Sequence, residues 1–194
     1  KGIIANPNCS TIIMVMALKP IYDLAKIKRV IVSTYQAVSG AGKEGIDELD
    51  AQVRDHSEGR EMTANILPSA SAEKHYPIAF NLIPQIDVFC DNLYTKEEMK
   101  MVNETKKIME DYEMRITATT IRVPVYRSHS ESVNIELEKE VDLGAMREAL
   151  AKFPGVTVQD DPSKQEYPMP LYTSEKDDVY VGRLRRDESC EKSY

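Results

Sequence analysis

Seven consecutive apolar residues, Ile12 to Leu18, follow an Asn6-Pro7-Asn8 turn and a Cys9-Ser10-Thr11 helix start. A helix with no polar face has to be enclosed by other elements rather than laid on a surface. This run therefore predicts a layered domain around a buried helix extending to about Lys26, with Pro20 kinking or ending its first segment. It is too short for a membrane span, which needs about 18 apolar residues. The 194 residues, 42% hydrophobic and 29% charged, suffice to bury a core and are ordinary for a folded domain. The net charge of −7 disfavours nucleic acid as a partner, since phosphate binding needs a basic face.

The rest of the chain mixes strands and helices. Gly2-Ile3-Ile4-Ala5 reads as the end of a buried strand, so a start at Lys1 in mid-strand suggests a piece of something longer. Val30 to Tyr35 is β-rich, Ser39-Gly40-Ala41-Gly42 is a turn, and a polar helix is expected over 43–54. Residues 56–84 lack periodicity and carry Pro68, Pro77 and Pro84, the pattern of a long functional loop. Thr95 and Glu98 form a capping box that starts a helix to about Met109. Arg115 to Val125 and the alternating 131–139 segment predict two strands paired antiparallel. Asp142 caps a helix that Pro154-Gly155 stops, and Val156–Val158 and Val179–Leu184 are further strands. The fold class is α+β, with a mixed, largely antiparallel sheet and helices packed on it. The charged residues 187–194 are expected to fray.

Three scattered cysteines, Cys9, Cys90 and Cys190, make neither a disulfide framework nor a zinc site and fit a reducing cytoplasm. Three scattered histidines, His56, His75 and His129, give no metal motif. Eight glycines include no phosphate-cradling loop.

Cys9 is the best candidate for chemistry. At a helix N-terminus, free N–H groups and the dipole favour a thiolate, lowering its pKa, and can hold an oxyanion. The competing reading is a small buried hydrophobe. His129, in the turn between two strands, is the most plausible proton acceptor, with His75 as a rival. Arg122, on a strand of Thr and apolar residues, suits bidentate capture of a carboxylate or phosphate, or a surface ion pair. Glu97, Glu98 and Lys100 lie in the first turns of the capped helix, where Glu is commonplace. Gln36 closes a strand before the Gly-rich turn, where an amide either orients a substrate carbonyl or caps the turn.

Five blocks, in order, carry a resemblance. Asn6-Pro7-Asn8-Cys9-Ser10-Thr11 comes first, then Val32-Ser-Thr-Tyr-Gln36-Ala-Val-Ser-Gly-Ala-Gly42. Tyr76-Pro77-Ile78-Ala79-Phe80-Asn81 and Glu97-Glu-Met-Lys100 follow, and Arg122-Val-Pro-Val to His129-Ser-Glu-Ser is last. Together they closely resemble aspartate-semialdehyde dehydrogenase of the Gram-positive bacterial type. The resemblance implies NADPH-dependent conversion of L-aspartyl 4-phosphate to L-aspartate 4-semialdehyde and phosphate. That reaction lies on the route to lysine, threonine, methionine and isoleucine. It also implies a catalytic and dimerisation domain over residues 1–186, like the C-terminal domain of glyceraldehyde-3-phosphate dehydrogenase. The family's N-terminal Rossmann domain for NADP would then be absent from this chain, leaving it inactive alone.

Carried over residue by residue, Cys9 matches the nucleophile, His129 the acid/base and Gln36 the residue orienting the covalent intermediate. Arg122 matches the binder of the substrate α-carboxylate, Glu97 the α-amino contact and Lys100 the phosphate contact. Asn8 and the turn residues Ser39, Gly40 and Gly42 match positions beside the phosphate and nicotinamide. The alternatives are a non-catalytic dimerisation module and a related enzyme such as N-acetyl-γ-glutamyl-phosphate reductase. Arg122, Glu97 and the Ser-Thr-Tyr-Gln context argue against the latter.

Overall fold

The Asn8 side chain accepts the Thr11 N–H at 3.1 Å and so caps α1 (Cys9–Leu24). In this computed structural model, which describes residues 2–194, the helix runs through Pro20. The expected break does not occur: Leu18, Pro20 and Ile21 are all buried, and that packing outweighs one lost backbone bond. Residues 2–5 form no strand, and Ile3 and Ile4 are exposed. The expected strand end is corrected because no described strand lies alongside to complete its ladder.

After α1 come β1 (Ile27–Gln36), a 3-10 turn (Val38–Ala41), α2 (Gly42–Ser57), α3 (Lys96–Met109), β2 (Arg115–Arg122) and β3 (Ser130–Leu137). Then follow α4 (Leu143–Lys152), β4 (Val156–Val158), a 3-10 turn (Pro162–Lys164), α5 (Pro170–Thr173) and β5 (Val179–Val181). The class is α+β with a mixed sheet, as expected.

The strand order is β2-β1-β3, with β1 parallel to β2 and antiparallel to β3. The two strands expected to pair with each other instead flank β1. Its Ile27, Val30 and Val32 are fully enclosed, and the most apolar strand takes the middle. One consequence places the site. The 123–129 connection must cross the C-terminal end of β1, and it is bonded there: Val123 N–H to the Gln36 oxygen (3.0 Å), Val38 N–H to Val125 (2.8 Å), Ser39 N–H to Tyr126 (3.1 Å).

The main core lies between the sheet and the layer of α1, α3 and α4. Met14, Leu18, Val30, Val32, Met101, Ile135, Met146 and Leu150 meet there. A smaller cluster joins Val38, Leu49, Leu67, Ile78 and Ile83 under the long loop after α2. Gln52 fastens that loop: its Oε1 accepts the Ile78 and Ala79 N–H groups at 2.9 and 3.0 Å, and its Nε2 donates to the Thr63 oxygen at 2.9 Å.

The expected frayed tail is also corrected. Tyr194 and Ile135 exchange both backbone bonds at 3.0 Å, and the Leu137 N–H reaches the Lys192 oxygen at 2.9 Å. The Tyr194 hydroxyl donates to the Val141 oxygen (2.6 Å) and accepts its N–H (2.9 Å). An unpaired strand edge and an aromatic ring with a place in the core outweigh the charges around them. Among the described residues, no helix is long and apolar enough to cross a membrane.

Candidate functional site

Because β1 and β2 run parallel, they end at the same edge of the sheet, and their last residues, Gln36 and Arg122, are register partners. The N-termini of α1 and α3 bring Cys9 and Glu97 to that edge, and the connection into β3 brings His129. Five sequence segments thus converge.

Glu97 ties three of them together. Its Oε1 accepts the Asn8 side-chain amide at 2.8 Å and the Gln36 amide at 3.1 Å. Its Oε2 lies 3.5 Å from Lys100 Nζ, which also meets Asp87 at 3.2 Å. The Thr95–Glu98 capping box fixes where this helix begins, and Glu98 Oε1 takes the Thr120 N–H of β2 at 3.0 Å, docking α3 onto the sheet. Asn8 is held three ways: its N–H on Glu104 at 2.7 Å, its amide on Glu97, and its oxygen capping α1. Thr34 donates to the Gln36 oxygen at 2.9 Å and leaves the amide directed at Glu97.

Arg122 and His129 share one anchor. The Ala37 N–H donates to His129 Nδ1 at 3.0 Å, and the Ala37 oxygen accepts Arg122 Nη1 at 2.8 Å. Gly40 has to lack a side chain: a Cβ there would stand 2.6 Å from Arg122 Nη1 and 3.3 Å from His129 Nε2. Arg122 is 3% exposed, and its Nε is buried without a partner among the described residues. A buried guanidinium with a free donor is suited to an incoming anion.

The charges set the chemistry. Burial pushes the Cys9 thiol up and the Glu97 carboxylate adds to it, while Ser10 and Arg122 pull the other way. The expected lowered thiol is therefore corrected: burial first, and then the Glu97 carboxylate, outweigh the pull of the helix N-terminus. Burial and Arg122 hold His129 down to about 4, against the pull of Glu97. Burial alone would lower the Lys100 ammonium, but Asp87 and Glu97 carry it up. Burial pushes the Glu131 carboxyl up, and its Oε1 has no partner among the described residues.

Cys9, Ser39, Ser128, His129 and Glu131 line one open cleft of about 1240 Å³. Gly42 is not brought into contact with these groups. With φ +81° it starts α2, and nothing lies within 4 Å of where its side chain would begin. His75 bonds the Ser69 carbonyl oxygen at 3.1 Å within its own loop. For a dinucleotide, the residues here fit only the reactive end. Ser39 stands on the cleft wall with Cys9, whereas the space at Gly40 is filled by Arg122 and His129.

Ala37, Thr34 and Glu104 were missed as positioning residues. Ala37 acts through its backbone, which no residue type announces, and Glu104 is remote in sequence from the Asn8 N–H it holds. Thr34 had one local signal, a buried hydroxyl two residues before Gln36 on the same strand face.

Residues 18–194 match the family model described as semialdehyde dehydrogenase, dimerisation domain. The chain is 55% identical over 187 residues to aspartate-semialdehyde dehydrogenase of Aquifex aeolicus, covering 96% of this chain and 53% of that protein. It is 54% identical over 187 residues to that of Bacillus subtilis, covering 96% and 54%. The solved aspartate semialdehyde dehydrogenase II of Vibrio cholerae, complexed with ASA, superposes with a TM-score of 0.90 at 44% identity, covering 98% of this chain and 54% of that one. The chain spans about half the length of the curated relatives it matches.

Proposed function

The chain belongs to the semialdehyde dehydrogenase dimerisation-domain family, and from that premise we propose that it is the catalytic and dimerising part of an aspartate-semialdehyde dehydrogenase. The reaction is reduction of L-aspartyl 4-phosphate to L-aspartate 4-semialdehyde and phosphate with NADPH, in the cytoplasm. The observation that carries this reading is the Glu97 hub. One buried carboxylate meets Asn8, Gln36 and Lys100 beside Cys9 and Arg122.

Each residue has a part. Cys9 Sγ attacks the substrate acyl carbon; the S–C bond forms, the C–O bond to phosphate breaks, and phosphate leaves with its electron pair, giving a thioester on Cys9. Arg122, with its free Nε, takes the α-carboxylate, and Glu97 takes the α-ammonium. Ammonium beside Glu97 offsets the charge that opposes the Cys9 thiolate, so binding and activation are coupled. Lys100 meets the phosphate, Gln36 orients the acyl group, and His129 stands at the acyl oxygen. Ser39, on the cleft wall with Cys9, would meet the nicotinamide end of the cofactor, which when bound would supply the hydride.

Two copies associate through the outer sheet face, which carries Ile31, Ser33, Tyr35 and Ile121 and is free of helices. The family model's description supports the association, and the register of β1 and β2 supports the choice of face.

The test is the reverse reaction, NADP reduction by aspartate semialdehyde that depends on phosphate, on the protein carrying this chain and on its Cys9→Ser variant. Turnover that drops about a thousandfold or more in the variant is expected. A folded protein without turnover, or a variant that keeps it, rejects the assignment.

A further inference from the structure

We propose that Asp87 is a positioning residue for the site: it draws the Lys100 ammonium away from Glu97 and so keeps one Glu97 oxygen charged and open for the ammonium group of the substrate. The inference rests on the proposed reaction for the identity of that ammonium, and on geometry alone for the sharing of Lys100 between two carboxylates.

Glu97 is a buried carboxylate, 6% exposed, and its two oxygens are used unequally. Oε1 accepts the Asn8 and Gln36 amides at 2.8 and 3.1 Å. Oε2 has one donor among the described residues, Lys100 Nζ, at the long distance of 3.5 Å. A carboxylate oxygen has room for about two donors, so Oε2 is where an incoming ammonium can land. Lys100, one turn along the same helix, is the resident competitor for that place. Its four-carbon stem is flexible, and a cation beside a buried carboxylate gains more than one at the surface.

Asp87 holds this competitor back. Its Oδ2 stands 3.2 Å from Lys100 Nζ, nearer than Glu97. Asp87 and Glu97 are the charges that face the Lys100 ammonium, and Asp87 itself faces Lys100 and Lys96. The Asp87 carboxylate is fixed from its own loop. Asp87 has φ +67°, its Oδ1 accepts the Val88 N–H at 2.8 Å, and its carbonyl oxygen takes the Gln85 amide at 3.1 Å. The Val88 oxygen accepts the N–H of Lys96, the first residue of α3, at 2.9 Å. The turn is thus tied to the helix that carries both Glu97 and Lys100. An ammonium has three donors, so Lys100 leans on two carboxylates and keeps one N–H for a further anion.

Asp87→Asn isolates the charge. Asparagine accepts the left-handed backbone, and its oxygen keeps the Val88 N–H. Its NH2 group then faces Lys100 and offers no acceptor. Lys100 is left with Glu97 and closes on Oε2. The landing place of the substrate ammonium is then taken, and the carboxylate that opposes the Cys9 thiolate is neutralised.

The experiment uses the protein carrying this chain. Iodoacetamide labelling is read by mass spectrometry on the Cys9 peptide, because Cys90 and Cys190 are free cysteines too. At pH 8 and low salt, Asp87→Asn should label Cys9 about threefold faster than the parent. Lys100→Met, which leaves Glu97 without its cation, should label it more slowly. The double variant Asp87→Asn/Lys100→Met should match Lys100→Met, because Asp87 acts only through the lysine. An unchanged rate in Asp87→Asn rejects the proposal. So does an acceleration that persists without Lys100, or a Lys100→Met rate no lower than the parent's. In turnover, Asp87→Asn should raise KM for aspartate semialdehyde about fivefold, with a smaller change in kcat. An unchanged KM rejects the opening of Oε2. Labelling needs no turnover, so an inactive parent protein sinks the proposed reaction while the sharing of Lys100 is still decided.

Discussion

Glu97 secures Asn8 and Gln36, yet its charge stands against ionisation of Cys9. Glu97→Gln keeps the oxygen that accepts both of those bonds and removes the charge. The thiol then ionises at lower pH, and alkylation of Cys9 by iodoacetamide at pH 8 should rise by a factor of about 3 to 10. An unchanged or slower rate shows that Glu97 does not govern the thiol. His129 has the opposite kind of signature. Its folded pKa is about 4, below the ordinary histidine value of 6.5. The unfolded chain therefore takes the proton first as pH falls, and stability is full above about 6.5 and lost on the way down to 4. The loss is on the order of 3 kcal/mol. Denaturant titrations from pH 7 to 4 should show that slope in the parent and a shallower one in His129→Gln. Cys9, Gln36, Arg122 and His129 were legible as candidates because their side chains are chemically unusual where they stand. The direction of the thiol shift was not, because it comes first from burial and then from Glu97, 88 positions away in sequence, and both exist only after folding.

Capped elements were read well, and connections badly. The Thr95–Glu98 box and the Asp142 cap are local patterns, and both start helices where the sequence says. The pairing of β2 with β3 was the natural reading of two neighbouring strands, but which strand takes the centre depends on burial summed over the whole sheet. The aperiodic stretch after α2 was rightly seen as a loop; what the sequence did not disclose was that α2 holds it with one side chain. Gln52 is fully buried and satisfies two loop N–H groups. Gln52→Leu leaves both donors unmet and should cost about 2 to 4 kcal/mol. Proteolysis within residues 58–82 should quicken in parallel, and a variant as stable and as resistant as the parent would reject this account.

At the scale of the whole domain, Tyr194 fastens the outer edge of the sheet to the core. Tyr194 extends the sheet beyond β3, packs in the main core and bonds Val141 through its hydroxyl. Tyr194→Ala should therefore destabilise by about 3 to 5 kcal/mol, the range for an aromatic ring removed from a core, measured by chemical denaturation. A loss under about 1 kcal/mol would mean that the tail is peripheral after all. Charge-rich composition suggested fraying, and composition has no way to register that a neighbouring strand edge lacks a partner.

Gln36 and Arg122 sit opposite one another on hydrogen-bonded strands. The distance between them is thus set by a backbone ladder with a spacing of about 4.8 Å, not by how side chains fill the interior. The site is mechanically insulated. Mutations that loosen or tighten the core shift both strands as one plate and leave the gap between the two groups alone. Such a protein can drift in stability over a long history of substitutions without losing its gauge for the length of its ligand.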